Sequence, residues 1–77
     1  MLKQINDGII NTEYIVKIYF KDDYTLVISD INNHEMQLNF EKPINDRRQF
    51  FDLFNLELQD EDFDEIDIES ILEELEN

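Results

Sequence analysis

The chain has 77 residues, 42% of them hydrophobic, with one glycine, one proline, no cysteine and a formal net charge of −14. That length supports one small domain, residues 1–77. The apolar content, with six Phe and three Tyr, is too high for a disordered tail, and the lack of cysteine excludes a disulfide framework or a cysteinyl metal site and suits a reducing compartment.

The elements can be taken in chain order. In the first ten residues, "LKQI" fits either a strand or a helical turn, and Gly8 argues against a long helix. "EYIVKIYF" (13–20) alternates as a strand, with Tyr14, Val16, Ile18 and Phe20 on one face and Ile15, Lys17 and Tyr19 on the other. "KDD" (21–23) is a turn, and "YTLVISDI" (24–31) is a second strand with Leu26 and Ile28 inward. "NNH" (32–34) is a second turn, because asparagine tolerates the left-handed backbone region. "EMQLNF" (35–40) places Met36, Leu38 and Phe40 on one face. These three strands predict an antiparallel meander.

The period then changes. Over 41–55, Pro43 suits a helix start, Asn45 or Asp46 a cap, and Phe50, Phe51 and Phe54 a helical stripe. "LELQ" (56–59) is a connector without a clear period. A last helix is predicted from Asp60 or Asp64 to about Leu75, with Phe63 packing near its start and Ile68, Ile71, Leu72 and Leu75 as its apolar side. The fold class is therefore α+β, a three-stranded antiparallel meander followed by two helices packed on it.

Charge is the most distinctive property. Residues 1–48 carry six basic and eight acidic groups (−2), whereas residues 49–77 carry twelve acidic groups and no basic one (−12). A field of that sign repels nucleic acid and anionic membranes and attracts basic protein surfaces. No apolar run approaches the roughly 20 residues that span a bilayer, and "MLKQINDGII" lacks the order of a secretory signal.

Catalytic and metal chemistry find little support. Asp60, Asp62 and Asp64 match the first positions of a calcium loop, but Glu65 stands where the sharp turn needs glycine and Ile71 where a bidentate carboxylate is needed. His34 is the sole histidine and sits in a turn; no phosphate-cradling glycine loop exists. Arg47 and Arg48 are adjacent, but two arginines do not make a nucleic-acid patch. The expectation is a non-enzyme without metal or cofactor.

Ten of the seventeen residues from Asp60 to Glu76 are acidic. A solvated helix face would normally mix Glu with Lys four residues apart. Here Glu73, Glu74 and Glu76 instead crowd a helix C-terminus, where the dipole disfavours them by about 0.3–1 kcal/mol each. Such a broken local rule points to function. As a continuous helix, the stretch would carry one carboxylate per about 2.5 Å of axis, against one phosphate per about 1.7 Å in duplex DNA. Polyanion mimicry follows as the functional expectation.

Four short motifs add a resemblance. Ile5-Asn6-Asp7 precedes the strand beginning Tyr14-Ile15-Val16-Lys17, Asn32-Asn33 follows the second strand, and Asp60-Glu61-Asp62 links the two helices. With the order of elements, this resembles the small acidic anti-CRISPR proteins of phage and prophage that inhibit type II Cas9. The resemblance implies binding to the guide-loaded nuclease at the site whose arginines read the PAM. It also implies the cytoplasm of a bacterial host, and the strong like charge favours a monomer. By the resemblance the partner-binding residues would be Glu13 and Tyr14, Asn32, Asn33 and Glu35 at the second turn, and Asp60, Glu61 and Asp62; Asp64 and Glu65 of the same acidic run complete the candidate set. The rival readings are an inhibitor of another DNA enzyme, such as a restriction or repair enzyme, and an acidic protein–protein interaction module such as an antitoxin.

If like-charge repulsion limits folding, screening should relieve it. Raising sodium chloride from low concentration to about 0.5 M shortens the screening length below about 5 Å, and the melting temperature is expected to rise. A fall measured by circular dichroism would mean that native ion pairs outweigh repulsion.

Overall fold

Asn6 and Asn33 have positive φ, 50° and 63°, and each stands where the backbone reverses between two strands. The computed structural model describes residues 1–62 and 64–76. Its elements in chain order are β1 (Leu2–Ile5), β2 (Gly8–Asn11), a 3-10 turn (Thr12–Tyr14), β3 (Ile15–Asp22), β4 (Thr25–Asp30), β5 (Glu35–Asn39), α1 (Arg47–Gln59), β6 (Glu65–Ile66) and α2 (Ile68–Glu76). The α+β class holds, with the predicted antiparallel meander β3-β4-β5 and two helices, and a second three-stranded sheet of order β2-β1-β6 is present as well. Two compact units result, residues 13–45 and the combined segments 1–12 and 46–77.

The unit of residues 13–45 is the meander. In β4, Leu26, Val27 and Ile28 are buried, and Leu38 in β5 lies opposite Leu26. Phe20 and Phe40 approach with ring centroids 6.5 Å apart. Beyond β5, the Ile44 amide donates to the Asp23 carbonyl at 2.8 Å, which returns the chain to the β3–β4 turn. The expected first strand is corrected at its start. Residues 12–14 form a 3-10 turn, and the register shifts between Ile15 and Lys17. An extra residue at such an irregularity breaks the alternation, so Val16 is exposed rather than grouped with Ile18 and Phe20.

The second unit joins the two ends of the chain. β1 pairs antiparallel with β2 across the Asn6-Asp7 turn and parallel with β6, with Gln4 opposite Glu65 and Ile5 opposite Ile66. Lys3 and Ile5 of β1 point inward, while Leu2 and Gln4 face water. α1 packs against α2 and β6. Its buried residues Phe50 and Phe54 stack with centroids 5.8 Å apart, and Phe51 meets Phe50 edge-on at 6.4 Å.

Both helix boundaries move from the sequence expectation. α1 begins at Arg47, not Pro43, because Asp46 caps it: the Gln49 amide donates to Asp46 Oδ1 at 3.0 Å. "LELQ" belongs to this helix. The predicted helix from Asp60 or Asp64 is corrected to start at Ile68, because Glu65 and Ile66 are drawn into pairing with β1 and Asp67 supplies the cap. The expectation for Phe63 lies outside the described residues. Among them, no helix is long and apolar enough to cross a membrane.

Lys3 is 1% exposed. Its Nζ donates to the Glu57 carbonyl at 2.7 Å and to the Asp60 carbonyl. These are among the carbonyls that the end of α1 leaves without an intrahelical partner, and a cation there also opposes the helix dipole. Lys3→Met keeps much of the apolar stem but removes the donor. It should destabilise the protein by about 1–3 kcal/mol, read as a lower urea midpoint. An unchanged midpoint would make the contact incidental.

Candidate functional site

The sequence-derived site residues fall into two groups, one in each unit. In the unit of the chain ends, the acidic junction follows α1. Asp60 terminates the helix, and its Oδ1 accepts the Asp62 amide at 2.9 Å. The Asp64 carbonyl accepts the Gln4 amide at 2.6 Å, and Glu65 continues into β6. Asp67 then caps α2, accepting the Ser70 amide at 3.2 Å on Oδ1 and the Ser70 hydroxyl at 2.9 Å on Oδ2. Asp60, Asp64 and Asp67 are thus tied to Lys3, to Gln4 and to the start of α2 respectively.

Glu57, Asp60, Asp64, Glu65, Asp67 and Glu69 are among the residues that line an open depression of about 840 Å³. Glu61 and Asp62 stand exposed beside it. The sequence singled out Asp60, Asp64 and Glu65 but missed Glu57, Asp67 and Glu69. Glu57 looked like part of a connector, and Asp67 and Glu69 were merged into a helix that begins later. Partial burial, with Asp67 and Asp60 nearby, raises the Glu57 carboxyl above its ordinary value; Lys3 opposes the shift and Glu74 adds to it.

In the meander unit, the other five residues gather at one end. The Tyr14 carbonyl accepts the Ile31 amide at 2.9 Å, bringing Glu13 and Tyr14 beside the Asn32-Asn33 turn. Asp30, which the sequence reading did not single out, organises that turn. Its Oδ1 accepts the Asn32 amide at 2.8 Å and the His34 amide at 2.9 Å, and its Oδ2 lies 3.3 Å from His34 Nδ1. These donors, the His34 amide foremost, hold the Asp30 carboxyl below its ordinary value. The available signal was an aspartate two residues before an asparagine pair, the spacing of a side chain that closes its own turn. Glu35 lies opposite Ser29, and Glu35 Oε2 accepts the Tyr19 hydroxyl at 3.1 Å, raising the Tyr19 pKa. Tyr14, Val16 and Ile31 are exposed.

His34 has an aspartate beside it but no nucleophile in the contacts described, and among the described residues no group of three or more His, Cys, Asp or Glu is arranged to hold a metal. What the two groups offer is hydrogen-bond acceptors, negative charge and a small exposed apolar area.

The chain matches no family model, no curated protein and no solved structure.

The pKa directions give a signed pH dependence. Glu57, raised on folding, contributes stability below its unfolded value and loses it as pH rises through the folded value. Asp30, lowered on folding, contributes stability above its unfolded value and loses it as pH falls through the folded one. Mild acidification from neutral pH towards about pH 5 should therefore stabilise the fold through Glu57, before Asp30 is lost in stronger acid. Glu57→Gln should raise the melting temperature at neutral pH and flatten this gain. If the variant keeps the full wild-type gain on acidification, Glu57 is not its source.

Proposed function

We propose that this protein is a non-catalytic inhibitor that presents a folded polyanionic surface to the basic nucleic-acid site of a DNA-acting protein. The observation that carries the reading is the acidic junction, where hydrogen bonds hold Asp60, Asp64 and Asp67 and acidic residues line or flank one open depression. Charges held on a fixed frame lose little freedom when they meet fixed cations.

The geometry of mimicry differs from a continuous helix. α2 carries four carboxylates, Glu69, Glu73, Glu74 and Glu76, over about 13 Å, or one per about 3 Å of axis. This is sparser than duplex DNA, and the denser charge lies in the junction before it. Individual carboxylates meeting individual arginines is therefore the better description than a rod of uniform charge. The narrower form of the proposal, motivated by the motif resemblance, makes the target guide-loaded Cas9 and the outcome a block on DNA binding. A restriction or repair enzyme is the alternative target.

One observation favours a second reading. Tyr14, Val16 and Ile31 expose apolar surface in the meander unit, where Tyr14 and Ile31 are joined by a backbone hydrogen bond. Phosphate mimicry has no use for such a surface, and an antitoxin-like protein–protein module does.

A desolvated charge contact costs about 2–5 kcal/mol when truncated, whereas rim charges mainly alter association rate. The triple variant Glu61→Gln, Asp62→Asn, Glu65→Gln should weaken target binding by about thirtyfold or more. The triple Asp7→Asn, Asp52→Asn, Glu73→Gln removes equal charge and should weaken it much less. Target capture from a bacterial lysate, then competition against the captured protein's own DNA at two salt concentrations, measures both. Equal losses would reduce the mechanism to diffuse attraction, and no loss from either would remove the acidic junction from the function.

A further inference from the structure

α1 and α2 leave a groove of about 180 Å³ on the unit formed by the chain ends. Its lining combines the apolar residues Leu53, Leu56 and Ile71 with the acidic residues Glu57, Asp60 and Glu74 and with Ser70. Leu56 is 64% exposed, whereas Phe50 and Phe54 of the same helix are buried and Phe51, Leu53 and Leu58 are half-buried. Glu57 is a partly buried carboxylate raised first by desolvation and then by Asp67, Asp60 and Glu74, with Lys3 opposing the shift. A carboxylate in that position gains from a cation that also excludes water.

We infer that this groove is a seat for an arginine side chain of a protein partner, the aliphatic stem lying on Leu53 and Leu56 and the guanidinium meeting Glu57 and Glu74. The chemistry selects arginine. An isolated apolar groove would take a leucine or phenylalanine, but three carboxylates at its border oppose that without charge compensation. A lysine would satisfy the charge, yet its compact, strongly hydrated ammonium cannot form the planar fork that two carboxylates accept, and it gives up its water less readily. An arginine combines an apolar stem with a weakly hydrated planar head. Its source as a nucleic-acid-binding partner rests on the function proposed above; its chemistry rests on the groove.

The test uses the full chain with labelled methyl groups, titrated at low salt with a capped glycine–arginine–glycine peptide. The lysine peptide and the uncharged citrulline peptide serve as comparisons. The arginine peptide should give saturable shifts centred on Leu53, Leu56 and Ile71, the lysine peptide weaker ones, and the citrulline peptide none. Glu74→Gln should weaken arginine binding by about two- to fivefold, whereas Glu73→Gln, which removes equal charge next to it, should not. Leu56→Ser, an exposed change that leaves the core untouched, should erode the preference for arginine over lysine. Equal response to lysine and arginine, equal effects of the two glutamate variants, or the absence of saturable shifts at the groove would each overturn the inference. If the arginine peptide saturates the groove while the protein displaces no DNA-binding protein from its DNA, the seat stands and the inhibitory function falls.

Discussion

The ammonium of Lys3 against the last carbonyls of α1 is the interaction on which the unit built from the chain ends depends. A helix C-terminus is a concentration of partial negative charge, and here it runs straight into an acidic segment. Without a cation the end of α1 would face both its own dipole and the carboxylates of Asp60 and its neighbours. Lys3 supplies that cation from the far end of the sequence, and β1, which carries it, also provides the edge on which Glu65 and Ile66 pair. One side chain and one short strand thereby set where the acidic junction lies relative to both helices.

The acidic residues divide by length of side chain. Asp22, Asp30, Asp46, Asp60 and Asp67 each accept a backbone amide close in sequence, closing a turn or capping a helix. The aspartate side chain is short enough to reach its own backbone, which is why it favours such positions. The glutamates Glu69, Glu73 and Glu74 of α2 are exposed instead. Part of the negative charge is consequently structural, and counting carboxylates overstates what a partner can meet.

Much of this was legible in the sequence. The strand pattern placed Leu26, Ile28 and Leu38 in the core, although Val27 between the first two is buried as well, and the phenylalanine stripe placed Phe50 and Phe54 there. The asparagine pair marked its turn because only a few residues tolerate φ near 63°. What escaped was non-local. Nothing near Glu65 announces a two-residue strand, since its partner lies in β1, and an acidic run with isoleucines reads as helix. Lys3 alternates with Ile5 as an inward residue would, yet a lysine at such a position is read as exposed unless the carbonyls awaiting it are known. Of the candidate site, the resemblance supplied residues that the structure gathers into two groups, whereas Glu57 and Asp67 needed the true boundaries of α1 and α2.

The parallel pairing of β1 with β6 also orders events in time. Each strand of the meander pairs with its sequence neighbour, so residues 15–39 need only local loop closure. Gln4 must wait for Glu65. On a ribosome, where residues emerge one after another, the middle of the chain can fold while its first strand remains unpaired beside a tethered, still incomplete partner. The acidic junction thus takes shape later than the meander, because its pairing with β1 must wait until Glu65 and Ile66 have been made.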